Sequence, residues 1–500
     1  MNKGERTMSQ KIFNTRTRTK ETFTPIKEGA VGIYVCGITA YDVCHIGHAR
    51  AAVVFDVVVR YLRSRGYEVT YVKNFTDIDD KIIDRANREG VDFREISERY
   101  IQAHDDDMAA LGVQTPTVVP KATEHMVEMI TLIKNLEEKG YAYSVAGDVY
   151  FSIRDFKPYG GLSGRNLEEM MAGARVDVND KKKNPLDFAL WKNSKEGEPF
   201  WESPWGKGRP GWHIECSAMS GRYLGETFDI HGGGEDLIFP HHENEIAQSM
   251  ASTGKPPANY WMHNGFVKIN SEKMSKSLGN IFPVQEILKN YHPEILRLFM
   301  LQSHYRSPVD YSEESLTEAR TALIRGYRTL QLLKEARMQF PAEARQESSG
   351  LSEKAESYIS RFAKLAEKFD EAMDDDFNTA QALGYVFEMV RLTNNFIVEE
   401  KKMPAPEKAA ILEEAQKVFD RFGEVLGVFH GDPDSFFMAD QETELRKRGL
   451  KIDAIEDLVR QRQAARQNKD WSRADELRKE LAAMNIVLKD SPAGTTWTVE

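Results

Sequence analysis

Val31-Gly-Ile-Tyr-Val-Cys36 alternates apolar side chains and is rich in β-formers, which predicts a strand ending near Gly37. From His48 to Arg65 the apolar residues Val53, Val54, Val57, Val58, Tyr61 and Leu62 recur at helical spacing, and Gly66 follows as a stop. Glu68 to Asn74 predicts a second strand. Strand, helix and strand at this spacing make a parallel βαβ unit, whose ligands sit at the carboxyl ends of the strands. The segment from Cys36 to His48 falls at such an end.

Between about 115 and 210 the pattern loosens. A helix near Val127 to Gly140, a short strand near Asp148 to Ile153 and a Pro/Gly/Trp-rich stretch near Trp201 to Pro210 read as an insertion between two halves of one sheet. Strand character returns at Phe228-Asp-Ile-His231. Beyond about 312 the chain turns helical and strongly charged, with polar breaks at Pro341 to Gly350 and Lys401 to Pro406. A further break, His430 to Asp440, leads into a small unit of two helices (Ile452 to Gln467, Trp471 to Met484) and two short strands (Ile486 to Leu488, Thr495 to Trp497). The expected fold class is therefore α/β: a Rossmann-like parallel-sheet domain over 9–311 with an insertion, an α-helical bundle over 312–430, and a small mixed α/β domain over 445–500.

With 500 residues, 41% of them hydrophobic and 29% charged, the chain has the composition of an ordinary globular protein of several domains. No apolar run approaches the roughly 18 residues of a membrane span, and Met1 to Gln10 lacks the apolar core of a secretion signal. A cytoplasmic location is expected, with no membrane partner. Met1 and Met8 are both candidate starts. Three cysteines, Cys36, Cys44 and Cys216, argue against a disulfide framework and leave catalytic, metal-binding or core roles open. The net charge of −11 neither advertises nor excludes a nucleic-acid partner, since binding depends on where basic groups cluster.

His45-Ile-Gly-His48 lies between the first strand and its helix, where free backbone N–H groups favour a phosphate. Gly47 allows an adenine ring to approach the backbone, and the two histidines can face a phosphoryl group. Far downstream, Lys273-Met-Ser-Lys276-Ser277 forms a polar loop whose two ammonium groups can neutralise a departing pyrophosphate. The pair, in this order and on this scaffold, resembles the class I aminoacyl-tRNA synthetases. His241 and Glu245 are spaced to share one helix face, and with Cys36 and Cys216 they make a plausible tetrahedral zinc set. Spacing alone does not bring those four together.

Five segments narrow the resemblance. Tyr34-Val-Cys-Gly-Ile-Thr-Ala-Tyr-Asp42, Asn74-Phe-Thr-Asp-Ile-Asp-Asp-Lys81, Pro210-Gly-Trp-His-Ile-Glu-Cys-Ser-Ala-Met219, Phe228-Asp-Ile-His-Gly-Gly-Gly-Glu-Asp-Leu237 and Phe239-Pro-His-His-Glu-Asn-Glu-Ile-Ala-Gln248 together resemble the cysteinyl-tRNA synthetases, over nearly the whole chain. The resemblance implies Cys36, Cys216, His241 and Glu245 as ligands of one Zn2+, which accepts the sulfur of substrate L-cysteine. Cys44 is left out of that set. It further implies His45, His48, Lys273 and Lys276 as the catalytic groups and His45, Gly47, His48, Gly232, Gly233 and Lys276 around ATP, with Mg2+ accompanying the nucleotide. Thr39, Tyr41, Trp212, His231 and Asp236 would line the amino-acid pocket. Asp77, Asp79 and Asp80 could be magnesium ligands, though an N-cap with helix-dipole charges fits them better. The small C-terminal unit, rich in arginine and carrying Trp471, would read the anticodon of tRNA(Cys), with Arg466, Asp475 and Asp490 as base readers. A monomer is expected. Two other readings share parts of this pattern: a ligase joining cysteine to an amino sugar through the same adenylate, which would lack the C-terminal unit, and a non-catalytic zinc-stabilised RNA-binding protein.

Overall fold

The computed structural model describes residues 10–166, 182–269, 272–273, 282–340, 350–491 and 494–499. Its centre is a four-stranded parallel sheet. We call its strands β1 (Ala30–Thr39), β2 (Glu68–Thr76), β3 (Phe228–Gly234) and β4 (Ala258–Asn264). They run in the order β4-β3-β1-β2. Helix α1 (Ile46–Ser64) crosses from β1 to β2, α2 (Trp212–Leu224) leads into β3, and α3 (Glu243–Thr253) joins β3 to β4. The chain works outward from β1 in one direction and from β3 in the other. The gap between the carboxyl ends of β1 and β3 is therefore the topological switch point, where such sheets bind ligands.

The alternating residues of β1 are buried on both faces, as a covered parallel strand requires. Tyr34 stands opposite His231 and Val35 opposite Gly232. On the other side the register with β2 slips between Val35 and Ile38. Gly37 sits in that slip: its N–H donates to Asn74 Oδ1 at 2.9 Å, and a Cβ there would run into the Asn74 carbonyl. The bulge takes Cys36 out of the ladder and frees its side chain for the switch point.

The stretch 115–210 contains a helix (Met126–Glu138) and a four-stranded antiparallel sheet of Ala142–Val145, Asp148–Phe151, Phe188–Asn193 and Gly208–Pro210. Helix Asp80–Glu89, whose start the Asp77–Asp80 acids suggest, and helix Phe93–Ala110, which the chain pattern does not indicate, precede it. Four long helices follow the sheet domain: Glu313–Met338, Glu353–Asp374, Thr379–Glu399 and Ala405–Leu426. The expected break at His430 to Asp440 is overturned. Pro433–Lys447 is a helix, started by Asp432 accepting from the Ser435 N–H at 3.0 Å and by Pro433 at its first position. The C-terminal helices Ile452–Gln467 and Trp471–Ala483 carry a hairpin of Ile486–Ser491 and Gly494–Val499. Leu445, Ile455, Val459, Leu481 and Ile486 form a small core separate from the large one.

Candidate active site and metal centre

Three elements of the switch point converge on one cluster. Cys36 comes from the β1 bulge and Cys216 from the second turn of α2. His241 and Glu245 come from the irregular turn Ile238–His242 and the helix it runs into. That helix begins at Glu243, later than the position of Pro240 implied, yet the i, i+4 pair still lies side by side. Cys36 Sγ is 3.7 Å from Cys216 Sγ and 3.3 Å from Glu245 Oε1. His241 Nε2 is 3.0 Å from the same carboxylate oxygen. The four donor atoms lie within 4.8 Å of one another, and Cys216, His241 and Glu245 are buried. Two thiols, an imidazole and a carboxylate in that space are a donor set for a metal ion.

A second grouping within the same limit, Cys36, His231, His242 and Glu245, shares two residues with the first. We favour the first set as ligands. Choosing the second would leave the Cys216 sulfur idle, whereas choosing the first gives His231 and His242 clear supporting tasks. His231 Nε2 is 2.9 Å from Glu245 Oε2, the carboxylate oxygen turned away from His241. His242 Nε2 is 3.3 Å from Cys36 Sγ. Behind it His242 Nδ1 meets His263 Nε2 at 2.8 Å, and His263 Nδ1 meets Thr15 Oγ1 at 2.8 Å. With both rings neutral, the N–H groups of this chain all run in one direction, so the state of Cys36 and the tautomers of His242 and His263 are set together. Burial drives His242 well below the usual histidine range and His263 down to about 3.

Electrostatics within the cluster are complementary. Burial pushes the Cys36 thiol up, while the hydrogen bond from Cys36 draws Cys216 down to about 6. Burial opposes a charge on His241, yet Glu245 and Cys216 raise it to about 10. Burial likewise opposes charge on Glu245, but His231 and His241 hold it well below the usual carboxylate range. Cys44 stands apart, buried and pushed up to about 12 by desolvation, and takes no part.

The His45 side chain caps α1, accepting from the Gly47 N–H at 3.2 Å, and the His45 N–H donates to His48 Nδ1 at 3.4 Å. The two imidazoles stack at 3.6 Å between centroids. Both histidines are thus spoken for in a capping box at the start of a 19-residue helix. Lys273 lies on the short strand Glu272–Lys273, paired with Lys268; its side chain and all of Lys276 lie outside the described residues. Residues 282–284, downstream of the lysine motif, return to the start of α1: the Ile46 N–H donates to Phe282 O at 3.1 Å, and the Val284 N–H to Cys44 O at 2.9 Å. The histidine motif is thus tied by backbone pairing to the chain that follows the lysine motif.

Trp212 stacks on His241 at 4.2 Å between centroids and, with Thr39, Gly211, His213 and Phe188, lines a cavity beside the cluster. Tyr41 lies against the helix Asp80–Glu89: Nζ of Lys81, a residue that lines the same cavity, is 5.2 Å from its ring centre, and Arg85 donates to its carbonyl at 2.8 Å. Asp236 lies in the turn after β3, close against Gly234. Added side chains at Gly232 and Gly233 would strike Phe55 and His242, so both glycines are already needed by protein packing. Asp79 caps the helix Asp80–Glu89, accepting from the Lys81 N–H at 3.0 Å. Asp80 pairs with Lys192 at 2.6 Å and with Arg209, and Asp77 accepts from the Thr123 N–H at 2.9 Å. These acids tie the insertion to the sheet. In the C-terminal unit Asp490 accepts from the two terminal guanidinium nitrogens of Arg462 at 2.9 Å and pairs with Arg466 at 2.5 Å; Asp475 lies on the following helix, Trp471–Ala483.

The supporting histidines are what sequence reasoning missed. His213 Nδ1 lies 2.9 Å from His241 Nδ1, and His242 and His263 were not singled out. The signal was present as neighbours of ligands, in Trp-His213 and His241-His242, but pairing His263 with His242 needed β4 beside β3.

This arrangement of a parallel sheet, a histidine-capped helix at its switch point and a lysine-bearing hairpin is the catalytic scaffold of the class I tRNA synthetases. Residues 22–321 match the class I (C) catalytic domain of the tRNA synthetases, 368–430 the DALR domain and 452–497 the cysteinyl-tRNA ligase anticodon binding domain. The chain belongs to the cysteine–tRNA ligase family. It is 57% identical over 495 residues to the cysteine–tRNA ligase of Geobacter metallireducens, covering 99% of this chain and all of that one. It is 56% identical over 493 residues to that of Geobacter sulfurreducens, with the same coverage. A methionyl-tRNA synthetase from Mycobacterium tuberculosis, solved with methionyl-adenylate, shares the fold with a TM-score of 0.61 at 15% identity, over 80% of this chain and 92% of that one. The match at 452–497 is the unit that an amino-sugar ligase was expected to lack, so that reading falls away. Among the described residues no helix is long and apolar enough to cross a membrane.

Proposed function

We propose that this chain activates L-cysteine with ATP and passes it to tRNA(Cys), using a zinc ion on Cys36, Cys216, His241 and Glu245 to recognise the substrate thiolate. One observation carries the reading: a four-donor cluster with two sulfurs includes Cys36, which lies nine and twelve residues along the chain from His45 and His48 of the ATP motif. The donor spacings suit zinc. Bonds of about 2.3 Å to sulfur at a tetrahedral angle would place two sulfurs about 3.8 Å apart, and Cys36 and Cys216 are 3.7 Å apart. When bound, zinc supplies a soft acceptor that holds a sulfur as thiolate and takes a serine hydroxyl poorly. Shape alone would separate sulfur from oxygen by only about 1–3 kcal/mol.

The chain's own residues do the rest. Trp212, stacked on His241, and Thr39 wall the amino-acid pocket beside the cluster, and His231, Tyr41 and Asp236 are proposed as its further polar contacts. His45 and His48 are proposed to face the phosphates at the start of α1, where the helix dipole favours negative charge. Gly47, Gly232 and Gly233 would give the nucleotide close approach to the backbone. Lys273 and Lys276 would neutralise the departing pyrophosphate, ATP entering as its magnesium complex. Attack of the cysteine carboxylate on the α-phosphate needs no covalent enzyme intermediate; positioning and charge stabilisation suffice. The terminal ribose hydroxyl of the tRNA then takes the aminoacyl group and AMP leaves.

Domain roles follow: 9–311 for adenylation, 312–430 bracing the inner corner of the tRNA, and 445–500 reading its anticodon through Arg466, Asp475 and Asp490. The enzyme is proposed to act in the cytoplasm as a monomer. The test is ATP–pyrophosphate exchange with each amino acid in turn, followed by charging of total tRNA. Exchange with cysteine alone, and charging of tRNA(Cys) alone, are expected; exchange with serine at a comparable rate would overturn the zinc reading.

A further inference from the structure

The turn between the bundle helices Glu353–Asp374 and Thr379–Glu399 is driven into the sheet domain. Asp376 and Phe377, neither of them glycine, both hold left-handed backbone, at φ 65° and 50°. Such residues are uncommon and persist where surroundings over-determine them. Asp376 is fully buried. Its carboxylate accepts from the Phe13 N–H, the Tyr305 hydroxyl and Arg306 Nε, each at 2.8 Å. Phe377 packs edge-on against Tyr61 of α1. Three of the groups near that carboxylate, His304, Tyr305 and Arg306, belong to one short segment.

That segment is fastened to both ATP motifs. Arg50, two residues after His48 and fully buried, donates to the carbonyls of Met300, His304, Tyr305 and Ser307, the last three at 3.2, 3.3 and 3.0 Å. Among the described residues no carboxylate pairs with Arg50; carbonyls of this segment and of the helix before it take its two terminal nitrogens. On its other side the Gly265 N–H donates to Tyr305 O at 2.9 Å. Gly265 opens the hairpin of Val267–Ile269 and Glu272–Lys273, and Val309–Tyr311, just past the segment, pairs parallel with Val267–Ile269.

We propose that Asp376 is a positioning residue for adenylation: from the helical bundle it fixes the 304–307 segment, and through it the spacing between the His45–His48 helix start and the hairpin that carries Lys273. The claim rests on the reading of those two motifs as the ATP site. A misplacement of about 1 Å in such a site costs about a hundredfold, so a shift of part of that size is readable in kcat.

The test uses the full-length chain in ATP–pyrophosphate exchange with cysteine. Asp376→Asn keeps the side-chain shape and tolerates left-handed backbone. It is expected to lower kcat for exchange about tenfold while leaving KM for cysteine unchanged. Arg50→Lys is expected to lower kcat similarly, and the double variant to lose less than the product of the two, because both act through one segment. Unchanged exchange in Asp376→Asn would overturn the proposal. So would a loss matching the fraction of protein unfolded, or singles that multiply independently. Should Asp376→Asn not fold, Tyr305→Phe removes one of the three bonds and is held to the same kcat and KM outcomes. His48→Ala separates the two claims. If it abolishes exchange while Asp376→Asn is silent, only the positioning role fails; if it leaves exchange intact, the underlying ATP reading fails.

Discussion

His213 and His241 face each other through their Nδ1 atoms at 2.9 Å, and one of the two must donate. Burial, with His241 alongside, drives His213 well below the usual histidine range, so His213 is neutral. With its Nδ1 as acceptor it would hold the His241 proton on Nδ1, leaving Nε2, on the Glu245 side, as the atom a metal would take in exchange for the second proton. Partners of this kind typically set metal affinity by about 10–100-fold. His213→Phe is expected to weaken zinc retention in that range, measured by chelator competition, with the fold intact by circular dichroism. Retention equal to the parent would remove His213 from the centre.

Cys216→Ser should lower bound zinc and cysteine activation together. The variant leaves a hydroxyl where the cluster holds its lower-pKa sulfur. Metal analysis and ATP–pyrophosphate exchange on the same preparation check it. Normal zinc with normal exchange would refute the ligand assignment.

Lys276→Ala should slow adenylate formation by about 10²–10³, the usual cost of one charge-stabilising donor, with cysteine affinity barely changed. Single-turnover kinetics distinguish the two quantities. An unchanged rate would take the lysine out of catalysis.

Removing the chain after Leu450 should spare exchange and cripple charging. The cut falls between two hydrophobic cores, so the large one is left whole, although Leu445 of the small one becomes exposed. Charging that survives the truncation would show that 452–497 is dispensable for tRNA selection.

Asp490 gives the C-terminal unit an acid sensitivity. Hydrogen bonds from Arg462 and Thr495 hold its carboxyl well below the usual range. A depressed folded-state pKa stabilises above the unfolded value, about 3.9, and that contribution is lost as pH falls from there through the folded value. Protection of the hairpin Ile486–Ser491 from hydrogen exchange should therefore drop progressively below about pH 4, and Asp490→Asn should flatten the drop. Equal acid profiles for the two proteins would show that Asp490 contributes nothing there.

Much of this site was legible in the chain because its parts sit on local patterns. The alternation ending at Cys36, the helical period after His48 and the i, i+4 spacing of His241 and Glu245 each follow from backbone geometry. The convergence of Cys36 with Cys216, 180 residues apart, does not. It depends on β1 and β3 being neighbours, which no local period encodes. The same holds for His242 with His263 and for Asp376 with Tyr305. The helix Pro433–Lys447 was missed for a different reason. Its Gly-Asp-Pro-Asp-Ser opening has the composition of a turn, and those same residues serve as an N-cap and first turn. Gly232 and Gly233 show a signal with two sources: a glycine run at a strand end invites a ligand explanation, and Phe55 and His242 require glycine there on packing grounds as well.

The bulge at Cys36 and Gly37 also sets a tolerance. Nine residues of covalent chain lead from the sulfur of Cys36 to the His45 cap of α1, and that short tether leaves little slack. The proposed metal ligand and the proposed phosphate-facing cap are thus graduations on one ruler. Inserting a residue between Gly37 and Cys44 would delete no named side chain and still change the distance between the two marks.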